Sequence, residues 1–376
     1  MERYKIALVS DWYLPRTGGI ETQIHGLAHA LHTLGHEVHI YTTTPGPQAG
    51  HADGVVVHRL DLARVAGVVA PNPLHLLLAR RTLREEGFDV VHGHGLLSIM
   101  TIGVLMSARA LRIPCVLTSH SLLRRAVFPV AAAALAFDGR TDVLAGVSRE
   151  AAADLAAVSR RRDVLVLPNG VDPSAWARPD ARASQRPRVT SVMRLSRKKN
   201  AIELIDAMPR VVERVGRTHA PRLTIVGDGP DRARLERRVA RLGLGETVEF
   251  LGWQSPARVA DVLATSTVFA LPCRHEAFGL AALEARCAGV PVVAMRSRGI
   301  GDIVEDGRHG CLVETRDAFA DAIALLLVDE DRRARLSRAA RTGLEPFAWD
   351  RVVHAHLHAY TLAMSRHARL RPPVAA

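Results

Sequence analysis

The stretch 268-VFALPCRHEAFGLAALEARCAGVPVVAMRSRG-299 decides the fold. An apolar run closes at Pro272, a loop carries Glu276, a helix of small residues carries Glu284, and Gly289-Val290-Pro291 leads into a second apolar run. Strand, loop, helix, turn and strand make the βαβ unit of a parallel sheet. Glu276 lies in the loop before the helix and Glu284 about a turn and a half into it. Gly279 lets a ligand approach the backbone at the helix start, where N–H groups have no helical partner. Such a place suits a phosphate, with the carboxylates free for hydroxyls. Two solvated glutamates on a purely structural βαβ unit account for the same residues.

Upstream, strand 189-VTSVMRL-195 is followed by the basic turn 196-SRKKN-200 and a helix from Ala201. Cations at a helix start oppose its dipole unless an anion answers them. A diphosphate would do so, gripped by the Arg194 fork and the Lys199 point charge; solvated surface cations are the other reading, and the one preferred for Arg197 and Lys198. Strand 222-RLTIVG-227 meets the turn Asp228-Gly229-Pro230, placing Gly227 at another strand end.

The first half repeats the theme. Run 5-KIALVS-10, a loop ending in Gly18-Gly19 and a helix from Ile20 form a strand, turn and helix start suited to an oxyanion or simply to a tight turn. Strand 114-PCVLTS-119 delivers His120 at its carboxyl end, where it could donate to an oxygen, accept a proton or orient a hydroxyl. His92 and His94 end another strand without a third metal ligand nearby and read as structural or peripheral. The Pro/Asp/Arg/Ser text after Pro173 reads as a linker. The expected domains are therefore 1–172 and 189–344, with a linker at 173–188 and a final helix region, 345–376. Ligands in such sheets bind outside the carboxyl ends of the strands, so two domains presenting those ends imply a cleft.

At 376 residues, 48% hydrophobic and 23% charged, the chain fits two globular α/β domains. Four cysteines without metal-ligand spacing read as buried thiols in a reducing compartment. Met1 runs directly into a strand, so no secretory signal is expected. The longest apolar run, 126-AVFPVAAAALAF-137, falls short of the roughly 20 residues a bilayer span needs. The formal charge of +12 favours anionic partners such as phosphorylated substrates, an anionic membrane or nucleic acid; a compositional bias toward arginine explains it equally. Aromatics are only 4% and are not interleaved with basic residues, which argues against a nucleic-acid stacking surface. Motifs of serine hydrolases, zinc proteases and P-loop ATPases are absent, as is an acidic pair suited to a divalent metal.

Five motifs in order make the chain resemble GT-B retaining glycosyltransferases of the family 4 type over essentially its whole length. They are 18-GGIE-21, 194-RLSRKKN-200, 226-VGDGP-230, 276-EAFGLAALE-284 and the Gly-Val-Pro strand entry after it. The early half, from 9-VSDWYLP-15 through 35-GHEV-38, is similar to the branch that places N-acetylglucosamine on phosphatidylinositol and to bacterial relatives acting on inositol lipids. The resemblance implies two Rossmann-like domains facing across a cleft, and transfer of a hexosyl group from a UDP- or GDP-sugar to a lipid-linked or glycan acceptor, without cofactor or required metal. It implies that Glu284 holds the ribose, Glu276 the transferred sugar, and Arg194 and Lys199 the departing diphosphate. Gly18, Gly19 and Gly227 would line the phosphate and nucleotide sites. Backbone N–H groups of Phe278, Gly279 and Leu280 would bind sugar and phosphate, with His120 beside sugar and acceptor. The helix around Trp349 would cross back onto the first domain.

Ala277, Asn200 and Arg286 stand where the family usually has Gly, Gly and Met, which bears on donor choice. Leu122 to Phe137, with Arg124, Arg125 and Phe128, could touch a membrane, which would make a cytoplasmic protein peripheral to its inner face; a packed domain helix with two solvated arginines accounts for the segment equally. A nucleotide-sugar epimerase of the same fold and a basic nucleic-acid-binding α/β protein are the alternatives; oligomeric state is left open.

Overall fold

The computed structural model describes residues 2–16, 18–46, 54–60, 62–65, 68–71, 73–96, 98–123, 141–178, 186–216, 221–297 and 299–369, without the side chains of 62–76 and 99. Arg124, Arg125 and Phe128 lie outside these residues. The chain divides into two compact units, Met1–Gly170 with Trp349–Ala376, and Val171–Ala348.

Unit 1 is built on β1 (Lys5–Ser10), β2 (Glu37–Thr42), β3 (Val56–Arg59), β6 (Val90–His94), β7 (Cys115–Ser119), β8 (Val143–Gly146) and β9 (Leu165–Val166). They form one parallel sheet in the order β3-β2-β1-β6-β7-β8-β9, so the winding reverses beside β1. Both faces are covered, which is why β1 reads as a continuous apolar run and not as an alternation. Ile6 and Leu8 pack with Ile24, Leu27, Ala28 and Leu31 of helix α1 (Gly19–Thr33); Ala7 and Val9 pack on the opposite face with Val104 and Leu105 of helix α3 (Ile99–Ala110). Gly35, at φ +90, turns the chain from α1 into β2. A hairpin of β4 (Leu62–Val65) and β5 (Val68–Pro71), followed by α2 (Pro73–Glu86), sits between β3 and β6 in sequence. The last strand of unit 1 is confined to Leu165–Val166, because Pro168 has no N–H to continue a ladder.

The C-terminal helix, Trp349–Arg369, belongs to unit 1. Val353, Leu357 and Tyr360, at helical spacing, join the α1 side of the core. The Trp349 ring lies against the backbone of Gly26 in α1 and of Gly170; a Cβ would come within 2.2 Å and 2.4 Å of it.

Unit 2 has six parallel strands, β10 (Arg188–Val192), β11 (Arg222–Val226), β12 (Val248–Gly252), β13 (Val268–Leu271), β14 (Val292–Met295) and β15 (Gly310–Val313). Their order is β12-β11-β10-β13-β14-β15, with the reversal beside β10. The opening stretch of the sequence is β13, a loop, the helix Leu280–Cys287 and β14. The expected linker is interrupted: Pro173–Trp176 is a helical turn whose start is capped by Asp172, and β10 already begins at Arg188. Pro at the first helical position, where its missing N–H costs nothing, favours that turn.

Candidate functional site

In unit 2 the exits of β10 and β11 are laced together. Met193 N donates to Val226 O (3.0 Å) and Leu195 N to Asp228 O (2.9 Å). Gly227, at φ +123, permits this approach, since a Cβ there would lie 2.0 Å from Met193 O. Its glycine requirement is thus met by backbone packing, which fixes where Arg194 emerges. Arg194 is exposed and has no ion-pair partner among the described residues.

Residues Arg197–Lys199 form a 3-10 turn, and Asn200 adopts the left-handed conformation (φ 59, ψ 35) before helix Ala201–Val215. Asn is among the few residues that tolerate that region, so it can replace the family's glycine. Its Nδ2 donates to Glu203 (2.7 Å), which also receives Arg274 Nη2 (2.8 Å). Glu203 and Arg274 therefore tie the basic turn to the loop that carries Glu276. Neither was singled out in the sequence, because the link spans 71 positions.

The turn and the loop meet in one contact: Lys199 Nζ donates to Glu276 Oε2 at 2.6 Å. Burial alone would depress the Lys199 ammonium, but the charge of Glu276 and this hydrogen bond outweigh it, and the net shift is upward. Gly279, at φ +99, begins the helix Leu280–Cys287 and leaves no room for a Cβ, which would lie 2.6 Å from Ile300 Cδ1. Phe278 is buried edge-on against Phe347 (5.8 Å), which anchors the backbone just before the N–H groups of Gly279 and Leu280. Deeper in the helix, desolvation raises the Glu284 carboxyl to about 8, so it is mostly protonated at neutral pH. Two residues on, Arg286 is 1% exposed, and its guanidinium donates to the carbonyls of Ala340 (3.1 Å), Thr342 (2.5 Å) and Ile303. Its charge is met by backbone dipoles, and burial lowers it to about 10, still cationic at neutral pH.

In unit 1, α1 starts at Gly19, with Gly18 in an extended conformation before it. Gly18 lies close to the Glu21 carboxylate: a Cβ there would be 2.5 Å from Glu21 Oε2, which would have to swing aside. The buried Glu21 carboxylate pairs with Arg16 Nε at 3.0 Å. A resident carboxylate thus already lies beside the helix start where an oxyanion was expected. Asp11, directly after β1, is a further polar group at this end of the sheet. Ser98 Oγ donates to its Oδ1 at 2.6 Å, and its carbonyl accepts from the hydroxyls of Thr42, Thr43 and Thr44. Burial raises the Asp11 carboxyl, with the Ser98 bond opposing. An acid immediately after an apolar strand beside the winding reversal was the available signal.

His120 follows β7, and its Nε2 lies 3.0 Å from His94 Nδ1. Of the two readings of His94, structural or peripheral, this contact and its burial favour the structural one. Next to His94, His92 is held by Tyr360 OH (3.0 Å) and Thr118 Oγ1 (2.8 Å). Desolvation lowers His120 and His356 to about 4 and drives His92 and His94 down as well, so all four are neutral at physiological pH.

At the amino ends of β1 and β2, the ligand atoms of Glu37, His39 and Glu86 lie within 4.8 Å of one another, a spacing open to a metal ion. Lys5 Nζ pairs with both carboxylates, at 2.8 Å and 2.5 Å, and already balances them.

The family model described as Glycosyl transferases group 1 matches residues 174–343, and Glycosyltransferase Family 4 matches residues 17–175. A D-inositol 3-phosphate glycosyltransferase of Gordonia bronchialis is 35% identical over 195 residues, covering 50% of this chain and 43% of that protein; the chain thus matches under half the length of that relative. A GDP-mannose-dependent alpha-(1-6)-phosphatidylinositol monomannoside mannosyltransferase of Mycobacterium tuberculosis is 30% identical over 378 residues, covering 92% of this chain and 95% of that protein. The crystal structure of Anabaena HepE with UDP and glucose superposes with a TM-score of 0.82, covering 96% of this chain and all of that one at 18% identity, a likeness of GT-B fold. A relative at this identity over nearly its whole length, with a family model on each half, shows that the chain belongs to the group 1 and family 4 glycosyltransferases, enzymes that move a sugar from a nucleotide-sugar donor.

Proposed function

We propose that the chain is a retaining hexosyltransferase that takes a UDP- or GDP-sugar and glycosylates an inositol-bearing, lipid-linked or glycan acceptor, without a required metal. The observation that carries this reading is the Lys199–Glu276 pair at the carboxyl edge of unit 2, with the Gly279 helix start and, at the exit of β10, Arg194, which has no ion-pair partner among the described residues. An incoming diphosphate brings the negative charge that Arg194 lacks, and it competes with Glu276 for Lys199. Glu276 released from Lys199 is then free to bind sugar hydroxyls. Glu284, protonated at neutral pH, can both donate to and accept from ribose hydroxyls. His120, just past β7, is the residue expected to meet the acceptor.

In the reaction the bond between the anomeric carbon and the phosphate oxygen breaks as the acceptor oxygen bonds that carbon on the same face. The acceptor proton passes to the departing phosphate oxygen, so no protein base is consumed. Lys199, Arg194 and the helix start stabilise the charge that develops on the diphosphate. The names of the two relatives above, both concerned with phosphorylated inositols, favour an anionic inositol acceptor, as does the net charge of +12.

A thermal-shift screen across UDP-, GDP- and ADP-sugars tests the donor. Ligand at about 100 times its Kd stabilises by about 2.7 kcal/mol, so one nucleotide class should raise Tm clearly; no rise with any of them sinks the reading. With the donor found, Lys199→Ala or Arg194→Ala should lower kcat by about 100-fold or more, with the acceptor KM little changed. Wild-type turnover at saturating donor would remove those residues from the mechanism.

A further inference from the structure

Residues two apart on a strand point to the same face. His92 and His94 of β6 therefore share a face, as do Thr118 and His120 on and just past β7. His94 and Thr118 are register partners on these adjacent strands, so His120 lies one pleat beyond His94 and within its reach. His94 Nδ1 and His120 Nε2 are 3.0 Å apart, and a hydrogen bond between two neutral imidazoles needs its proton on one of them.

The far side of the His94 ring decides which. His94 Nε2 is buried and has no partner among the described residues. A proton on that atom would leave a buried N–H without an acceptor, at a cost of about 1–3 kcal/mol. With the proton on Nδ1, the orphan is only a lone pair, the milder fault. We infer that His94 is a positioning residue: it donates Nδ1–H to His120 Nε2, fixes His120 as the Nδ1–H tautomer, and so makes His120 a hydrogen-bond donor to substrate and not a base. The inference rests on the reading of His120 as a site residue.

The surroundings support it. His120 is part-exposed, and its Nδ1 has no partner among the described residues, so the nitrogen available to a ligand is the one that carries the proton. The His92 ring lies 4.1 Å from that of His94, and Tyr360 and Thr118 hold it. His356 is fastened to Val352 O at 2.8 Å. Among the described residues, the groups packed around the pair are thus neutral, and none supplies a carboxylate to stabilise an imidazolium. A protonated His120 would also turn an Nε2–H toward the His94 N–H. A donor at this position orients a sugar or acceptor oxygen, which agrees with the acceptor proton leaving on phosphate.

The tautomer is measurable without any substrate, from nitrogen-15 imidazole spectra of the full chain, with the His120 signals identified by their loss in His120→Gln. The expected result is Nδ1–H for His120 in the wild type and in His94→Asn, whose side-chain amide keeps a donor near the lost nitrogen. In His94→Leu the tautomer should shift toward Nε2–H, and kcat should fall by about 10–100-fold, the range seen when a site histidine loses its orienting partner; the donor KM should be little changed, and His94→Asn should recover most of the rate. An Nε2–H wild-type His120 overturns the inference whatever donor the enzyme takes. An unchanged tautomer in a folded His94→Leu, judged by Tm, overturns it too. Absence of turnover with any nucleotide-sugar would instead refute the functional reading and leave the spectra to decide the tautomer.

Discussion

At the residue scale, Glu284 carries the clearest electrostatic consequence. Its folded pKa, about 8, lies above the ordinary value of 4.5 that the unfolded chain shows. Its contribution to stability is therefore complete below about pH 4.5 and is lost as pH rises through that window to about 8, because the unfolded state gives up its proton first. Glu284→Gln removes the titration while keeping the shape and a donor. The variant should melt above the wild type at pH 8, and the gap should close as the pH is brought down toward 5. Paired thermal scans at the two values check this; a gap of constant size would show that Glu284 is not held neutral by its surroundings. The same variant should retain part of the nucleotide-induced Tm shift, since an amide still reaches a ribose hydroxyl, whereas Glu284→Leu should lose it.

At the element scale, the helix Leu280–Cys287 is pinned from behind by Arg286, whose guanidinium serves the carbonyls of Ile303, Ala340 and Thr342. Arg286→Met, the family's usual residue, removes the buried charge but leaves those carbonyls without donors. Each unsatisfied group costs about 1–3 kcal/mol, and the relief of a desolvated cation offsets part of the sum, so a net loss of about 2–3 kcal/mol is expected. Urea unfolding followed on unit 2 measures it; an unchanged midpoint would mean that water or repacking satisfies the carbonyls.

Most elements around this helix were legible in advance. Apolar runs, glycine stops and Pro entries are local signals, and both units follow them strand by strand. The hairpin β4–β5 was not, since Ala66-Gly67 between Val65 and Val68 is a faint turn signal in a stretch already bracketed by a strand and a helix. Motif residues such as Glu276 and Lys199 were visible one at a time, but their pairing was not. The neighbour of His94 was hidden for a related reason: strand parity shows which face it takes, but only the order β6-β7 shows that His120 lies beside it. Asn200 is the opposite case, where a departure from the family's glycine is explained by one residue's tolerance of the left-handed region.

At the scale of the whole molecule, the charge of +12 separates two kinds of acceptor. No helix among the described residues is long and apolar enough to cross a membrane. We propose peripheral attachment to the inner face of a membrane, with the protein otherwise cytoplasmic. Basic residues near an anionic bilayer contribute about 1 kcal/mol each, and the attraction fades beyond a Debye length of about 8 Å at physiological salt. The full chain should therefore sediment with vesicles containing phosphatidylserine or phosphatidylinositol, remain in the supernatant with neutral phosphatidylcholine vesicles, and be released as salt rises to about 0.5 M. A charge-only effect would treat the two anionic lipids alike at equal surface charge; recognition of an inositol headgroup would favour phosphatidylinositol and survive more salt. If no anionic vesicle retains the protein at low salt, peripheral attachment fails. A soluble phosphorylated acceptor would then be the partner that answers the positive charge, and it should raise Tm in the presence of the nucleotide that the donor screen identifies.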